Sequence, residues 1–103
     1  MMPSPYLHSS LADDPDLCQI VRCYIDEMPQ RIEGLLARFA AADWDGLATA
    51  AHQLKGTAGS HGFPQITLPA AELEKAARQK RSASEVRSAL DVLVEYCSRV
   101  RHA

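Results

Sequence analysis

The sequence predicts an all-α domain, an antiparallel four-helix bundle with a shorter N-terminal capping helix. Apolar residues recur at intervals of three and four along most of the 103 residues, and the alternation typical of strands is absent. Proline, aspartate, serine and glycine residues lie where such helices would begin or end. Long amphipathic helices on short connections bury their apolar faces by packing side by side in opposite directions, which indicates the bundle.

The first helix is predicted to open at Asp14 and Pro15, an N-cap residue followed by proline at the first helical position. Pro29 then ends this helix or kinks it, because proline lacks the backbone N–H that a helix interior uses. A second helix follows and closes near Ala42. The first helix is the shorter capping element of the predicted bundle.

The third helix is predicted to start at Asp43, which can cap it, and to stop at Gly62 in a left-handed conformation. Pro64 can start the fourth helix. Pro69 lies inside the apolar pattern of that helix and leaves two alternatives. Either the helix begins only around Leu68, after a loop or short turn, or it kinks at Pro69.

The last helix is predicted to follow a capping box formed by Ser82 and Glu85, and it carries a regular apolar seam. The domain boundaries follow from these elements. Residues 1–12 are expected to form a flexible N-terminal tail, and residues 13–103 the bundle itself. A chain of this length is one domain that can bury a core without disulfides or metals.

The composition argues against nucleic acid as a partner and indicates a reducing compartment. The formal net charge is -2 and acidic and basic residues are mixed along the chain, so no basic surface points to nucleic acid. Cys18, Cys23 and Cys97 are an odd number without a CxxC pair, which favours free thiols in a reducing cytoplasm. No secretory signal and no apolar run of about 18 residues is visible, so we expect a cytoplasmic monomer without a membrane span.

One face of the third helix carries the chemistry. His52 shares one face of this helix with three residues that follow it by three, four and seven positions: Lys55, Gly56 and Gly59. Each glycine inside a helix costs about 1 kcal/mol relative to alanine, and the missing side chains give another macromolecule access to the imidazole. An imidazole is mostly neutral near pH 7 and has a free lone pair. We therefore predict that His52 accepts a phosphoryl group, with Lys55 near its oxygens.

The surface around His52 is predicted to contact a partner protein. Ala48 and Thr49, one turn before His52, are small, and Gln53 is a polar residue at the rim. Small residues around a reactive group suit a flat, transient contact. Close packing between helices is the alternative explanation for Gly56 and Gly59.

The motif resembles that of the histidine phosphotransfer domain family, His-x-Leu-Lys-Gly-[Ser/Thr]-[Ala/Ser] with a further glycine ten residues after the histidine. The positions that match are His52, Leu54, Lys55, Gly56, Thr57, Ala58 and Gly62. The pattern of the family's next helix also fits, at Ile66, Ala70, Leu73 and Glu74. The segment from Ala58 to Phe63 looks like the phosphotransfer domain of chemotaxis histidine kinases.

The resemblance implies a helical bundle that carries phosphate between the receiver domains of response regulators or hybrid histidine kinases. Such domains do not bind ATP or phosphorylate themselves, and the receiver supplies the magnesium, so no cofactor of the chain's own is implied. His52 would be phosphorylated, through Nε2. Lys55 would help hold the phosphoryl group, and Gly56 would leave room for the receiver.

Other functions remain open from the residues alone. The chain could be a helical interaction module in which the histidine is idle, or the phosphotransfer domain of a larger kinase. A bundle enzyme or metal protein would need paired Glu-x-x-His motifs facing inward. His52 lacks such a partner, and neither Glu72 nor Glu74 has a histidine near it in the sequence, so no metal site is predicted.

Overall fold

The computed structural model describes residues 6–102, and five α-helices form its framework. The helices are α1, Cys18–Asp26; α2, Met28–Ala40; α3, Trp44–Ser60; α4, Pro64–Arg78; and α5, Ala83–Ser98. Over the same residues there is no strand, and the β-type pairing is limited to an isolated bridge between Leu7 and Val100. The predicted all-α class is confirmed.

Helices α2 to α5 form the bundle, and the nine-residue α1 packs on α2 as the short cap. Helix α3 packs mainly on α4, and α4 packs next on α5. The connections between successive bundle helices are only three or four residues long, over 41–43, 61–63 and 79–82, so neighbours run antiparallel. The central core residues are completely buried: Leu47, Phe63, Ile66, Leu73, Leu90 and Leu93.

The helix ends carry most of the predicted caps. Asp43 Oδ1 accepts a hydrogen bond from the Gly46 N–H at 3.0 Å, and Ser82 Oγ accepts one from Glu85 N–H at 3.2 Å. Gly62 has φ +85°, the left-handed conformation predicted for the stop of α3. These short-range signals therefore placed three helix ends correctly.

The start of α1 differs from the prediction. Asp14 Oδ1 accepts a hydrogen bond from Asp16 N–H at 2.8 Å, and the Asp14 carbonyl accepts from Cys18 N–H at 2.9 Å. These bonds close a turn, and α1 begins only at Cys18. Aspartate side chains cap turns as readily as helices, which is why the local sequence placed the start too early.

Pro69 lies inside α4, which is continuous from Pro64 to Arg78. Of the two alternatives, the start near Leu68 is therefore wrong, and the start at Pro64 is confirmed. Proline at position 69 cannot donate to the carbonyl of Gln65, a loss that weakens a helix. Pro69 and its neighbour Ala70 are buried, so packing against the rest of the bundle offsets that loss.

The segment before α1 packs on the bundle, where the sequence had predicted a tail. Leu7 is buried, and its N–H donates to the Arg99 carbonyl at 2.7 Å. Ser9 Oγ donates to the His61 carbonyl at 2.6 Å, and Ser10 N–H donates to the Gly62 carbonyl at 2.9 Å. The predicted tail boundary is thus corrected for residues 7–10, while residues 1–5 lie outside the described part.

Candidate functional site

His52 lies in the middle of α3, with 59% of its side chain exposed. Its Nδ1 atom is 3.1 Å from Oε2 and 3.3 Å from Oε1 of Glu74, which is on the adjacent helix α4. Nε2 has no hydrogen-bond partner among residues 6–102. One ring nitrogen is therefore held by the protein, and the other is available to a partner.

Glu74 is the centre of a cluster of positively charged and N–H groups. Lys55 Nζ donates to Oε1 at 2.9 Å, and Arg78 Nε donates to Oε2 at 2.9 Å. The Glu74 side chain is only 13% exposed. The hydrogen bond from Lys55, joined by those from Arg78 and His52, overcomes the opposing effect of burial and lowers the pKa of Glu74 to about 2.

The contact with the Glu74 carboxylate indicates the roles of the two imidazole nitrogens. An ionised carboxylate can only accept hydrogen bonds, so the Nδ1 atom of His52 must carry the proton that it shares with Glu74. In a neutral imidazole the second nitrogen, Nε2, then has the free lone pair. The geometry therefore leaves a ring nitrogen with a free lone pair on a side chain that is largely exposed.

Lys55 lies one turn after His52 on the same face, as the sequence predicted. Its side chain is one-third exposed, and the structure places its ammonium on Glu74. An ammonium group has three N–H donors, so the bond to Glu74 leaves others for an anion beside His52. Lys55 can therefore both hold Glu74 and meet an incoming phosphoryl group.

Gly56 is exposed on the same face, one turn beyond His52. A Cβ atom added to Gly56 would have no heavy atom within 4 Å, and one added to Gly59 would meet Thr67 Oγ1 at an ordinary 3.6 Å. Close helix packing therefore does not require a glycine at either position. The fold tolerates the roughly 1 kcal/mol that each glycine costs a helix interior without gaining contacts in return.

In the comparison with protein-family models, the model of the Hpt domain matches residues 19–103. The chain belongs to the Hpt domain family. Hpt domains are phosphocarriers that take part in histidine phosphotransfer in phosphorelays, where they interact with receiver domains. Searches of curated proteins and of solved structures each returned no match. Across residues 6–102 of this Hpt domain, no helix has the length and hydrophobicity that crossing a bilayer requires.

The structure gives the exposure of each residue predicted to lie on the contact surface of the Hpt domain. Thr49, Gln53, Gly56 and Gly59 are all exposed around His52. Ala48 is completely buried and cannot touch a docked protein, so that assignment is wrong. Consecutive helical residues differ by about 100° in direction, and this rotation turns Ala48 into the core while Thr49 stays outside.

Two other residues of the matched segment have structural roles. The hydroxyl groups of Thr57 and Tyr24 are 2.9 Å apart and hydrogen-bonded. The ring of His61 stacks on that of Tyr24, with centroids 4.2 Å apart. Together these contacts tie the end of α3 to α1.

Glu74 is the residue at the candidate site of the Hpt domain that sequence reasoning did not include. It lies 22 residues after His52, and only the packing of α4 on α3 brings the two side chains together. One signal was present, because Glu74 directly follows the core residue Leu73 and precedes Arg78 by one turn. A glutamate beside a buried residue, with an arginine four positions later, can be held in one orientation by an ion pair between the two side chains.

Proposed function

We propose that this chain is a phosphotransfer protein of a two-component His–Asp phosphorelay, which accepts a phosphoryl group on Nε2 of His52 and passes it to a receiver aspartate. The observation that carries the proposal is the hydrogen bond between Nδ1 of His52 and the ionised Glu74, because it leaves the lone pair on the exposed nitrogen. The glycines beside His52 support it, since they keep the approach to the ring open.

In the proposed reaction the Nε2 lone pair attacks the phosphorus atom of a receiver aspartyl phosphate. The N–P bond forms as the bond between phosphorus and the aspartyl oxygen breaks, and aspartate leaves as a carboxylate. The imidazole keeps its proton on Nδ1 and becomes positively charged, so the adjacent Glu74 carboxylate stabilises the product. The same charge makes the ring a good leaving group for the return step, which lets the chain donate as well as accept.

Lys55 is proposed to neutralise the phosphoryl oxygens while it holds Glu74. Positioning and charge stabilisation account for most catalysis of phosphoryl transfer, so these two groups suffice on the side of this chain. Magnesium is proposed to come with the receiver domain. We infer that the chain acts as a cytoplasmic monomer and phosphorylates nothing by itself; its three free cysteines support a reducing compartment.

The test is transfer from receiver domains charged with acetyl phosphate in the presence of magnesium. The chain is expected to gain one phosphoryl group that is labile in acid and stable in base. His52→Gln should abolish labelling, and His8→Gln, which changes an exposed histidine before α1, should not. Circular dichroism should show equal helical content in all three proteins.

Two results would contradict the proposal. Labelling that persists in His52→Gln would place the phosphoryl group elsewhere. A chain that accepts no phosphate from any receiver domain of its source organism would instead be a helical interaction module with an idle histidine.

A further inference from the structure

A groove of about 390 Å³ runs between α2 and α3, next to the exposed face that carries His52. Gln53 lines the groove and directly follows His52 in the chain. The apolar side chains of Leu35 and Leu54 also line it, and both are buried. A protein docked on His52 would therefore lie next to this groove.

The charged side chains that line the groove are all positive. Arg31 and Arg38 line it, and no aspartate or glutamate does. Arg31 is held by Glu27 at 3.1 Å and by the ring of Tyr24, which its guanidinium covers at 4.2 Å. Arg38 is exposed and donates to the Gly34 carbonyl at 3.1 Å, but no acidic side chain of residues 6–102 pairs with it. The groove thus contains a guanidinium group, that of Arg38, which has no acidic partner among the described residues.

At Gly34, in the interior of α2, the wall of the groove has no side chain. A Cβ atom there would meet only Nη1 of Arg38, at 3.0 Å, which is the far end of a flexible side chain. The backbone therefore does not need glycine at this position, although glycine weakens the helix. Its absent side chain leaves the room in which the Arg38 guanidinium lies over the Gly34 backbone.

We propose that the groove between α2 and α3 receives an acidic side chain of the docked receiver domain, which pairs with Arg38 and selects among receivers. This inference rests on the proposed function and adds the chemistry by which a partner is chosen. The carboxylate would lie beside Gly34, with apolar neighbours on Leu35 and Leu54, while the receiver's aspartate meets His52. Charges at the edge of an interface act mainly on association and partner choice.

The experiment measures transfer from acetyl-phosphate-charged receiver domains as a function of receiver concentration. Arg38→Glu should raise the half-saturating concentration of the most efficient receiver by roughly tenfold and leave the maximal rate unchanged. Arg38→Ala should give a smaller rise and a weaker dependence on salt, because a screened charge pair is lost. Arg22→Glu is the matched control, since Arg22 is also an exposed helical arginine but lines a different pocket, and it should change neither quantity.

The possible failures are distinguishable. Equal half-saturation in the Arg38→Glu and unmodified proteins, with normal labelling of both, would overturn the groove inference alone. A dimer in analytical ultracentrifugation that Arg38→Glu dissociates would also overturn it, because the groove would then belong to a second copy. A lack of labelling in the unmodified chain would overturn the proposed function, and the inference with it.

Discussion

The Nδ1 atom of His52 lies 3.1 Å from Oε2 of Glu74, across the contact between α3 and α4. The same carboxylate accepts hydrogen bonds from Lys55 on α3 and from Arg78 on α4. Glu74 therefore orients the imidazole and is itself oriented from both helices. Neighbours that fix a histidine tautomer in this way govern what the other ring nitrogen can do.

Removing the Glu74 side chain should release the imidazole. In Glu74→Ala we expect the proton on His52 to distribute between both nitrogens and transfer from a receiver to slow by about tenfold. Nitrogen-15 NMR of the imidazole measures the tautomer directly, and Glu72→Ala, on the same helix, is the control. A ring in the unmodified protein that carries its proton on Nε2 would disprove the proposed role of Glu74.

Lys55 and Arg78 both bind Glu74, but only Lys55 lies on the helix of His52. We expect Lys55→Ala to slow transfer and to shorten the lifetime of the phosphorylated protein, because in the proposed reaction its charge also neutralises the phosphoryl oxygens. Arg78→Ala should leave that lifetime closer to normal. Autoradiography after removal of the receiver measures both lifetimes. Equal effects of the two variants would show that Lys55 acts through Glu74 alone.

The pKa of Glu74 predicts how stability changes in acid. It falls from 4.5 in the unfolded chain to about 2, so ionised Glu74 stabilises the fold above pH 4.5 and loses this effect as pH falls towards 2. Glu74→Gln should cost on the order of 2 kcal/mol of unfolding free energy at pH 7 and much less near pH 2. Urea titrations at several pH values give this difference. A difference that is the same at every pH would rule out the linkage.

We expect Gly56 to favour the approach of a partner to His52 while it lowers the stability of the fold. Gly56→Ala is expected to stabilise the domain by about 0.5–1 kcal/mol, because the new Cβ meets nothing and alanine favours the helix. Gly56→Leu should slow transfer from the receiver, since its side chain would obstruct the approach to His52. Ser88→Leu, at an exposed position of α5, is the control for added surface bulk. Transfer by Gly56→Leu at the normal rate would mean that the receiver does not pass over this position.

The three thiols should differ in reactivity. Burial raises the pKa of Cys97 to about 12, whereas Cys23 is exposed on α1. The thiolate is the reactive form, so Cys97 should react with a disulfide reagent only after unfolding. Counting released chromophore in native and denatured protein tests this. Rapid reaction of Cys97 in the native protein would contradict the packing of α5.

The sequence by itself determined the helical class and most helix ends, and it singled out His52 as the candidate for the reactive residue. These depend on apolar spacing, caps and a short motif, all of which act between residues close in the chain. It placed Lys55 and Gly56 on the correct face for the same reason. It left two alternatives open at Pro69, because the burial that keeps α4 continuous comes from other helices.

Only the tertiary structure decided which surroundings His52 has. Glu74 contacts His52 because α4 packs on α3. Ala48 is not on the surface as predicted, because it is buried in the core. The packing of Leu7 against the segment after α5 was equally invisible in the sequence. Each of these depends on contacts between residues distant in the chain, and helical periodicity gives the direction of a side chain without naming the neighbour that it meets.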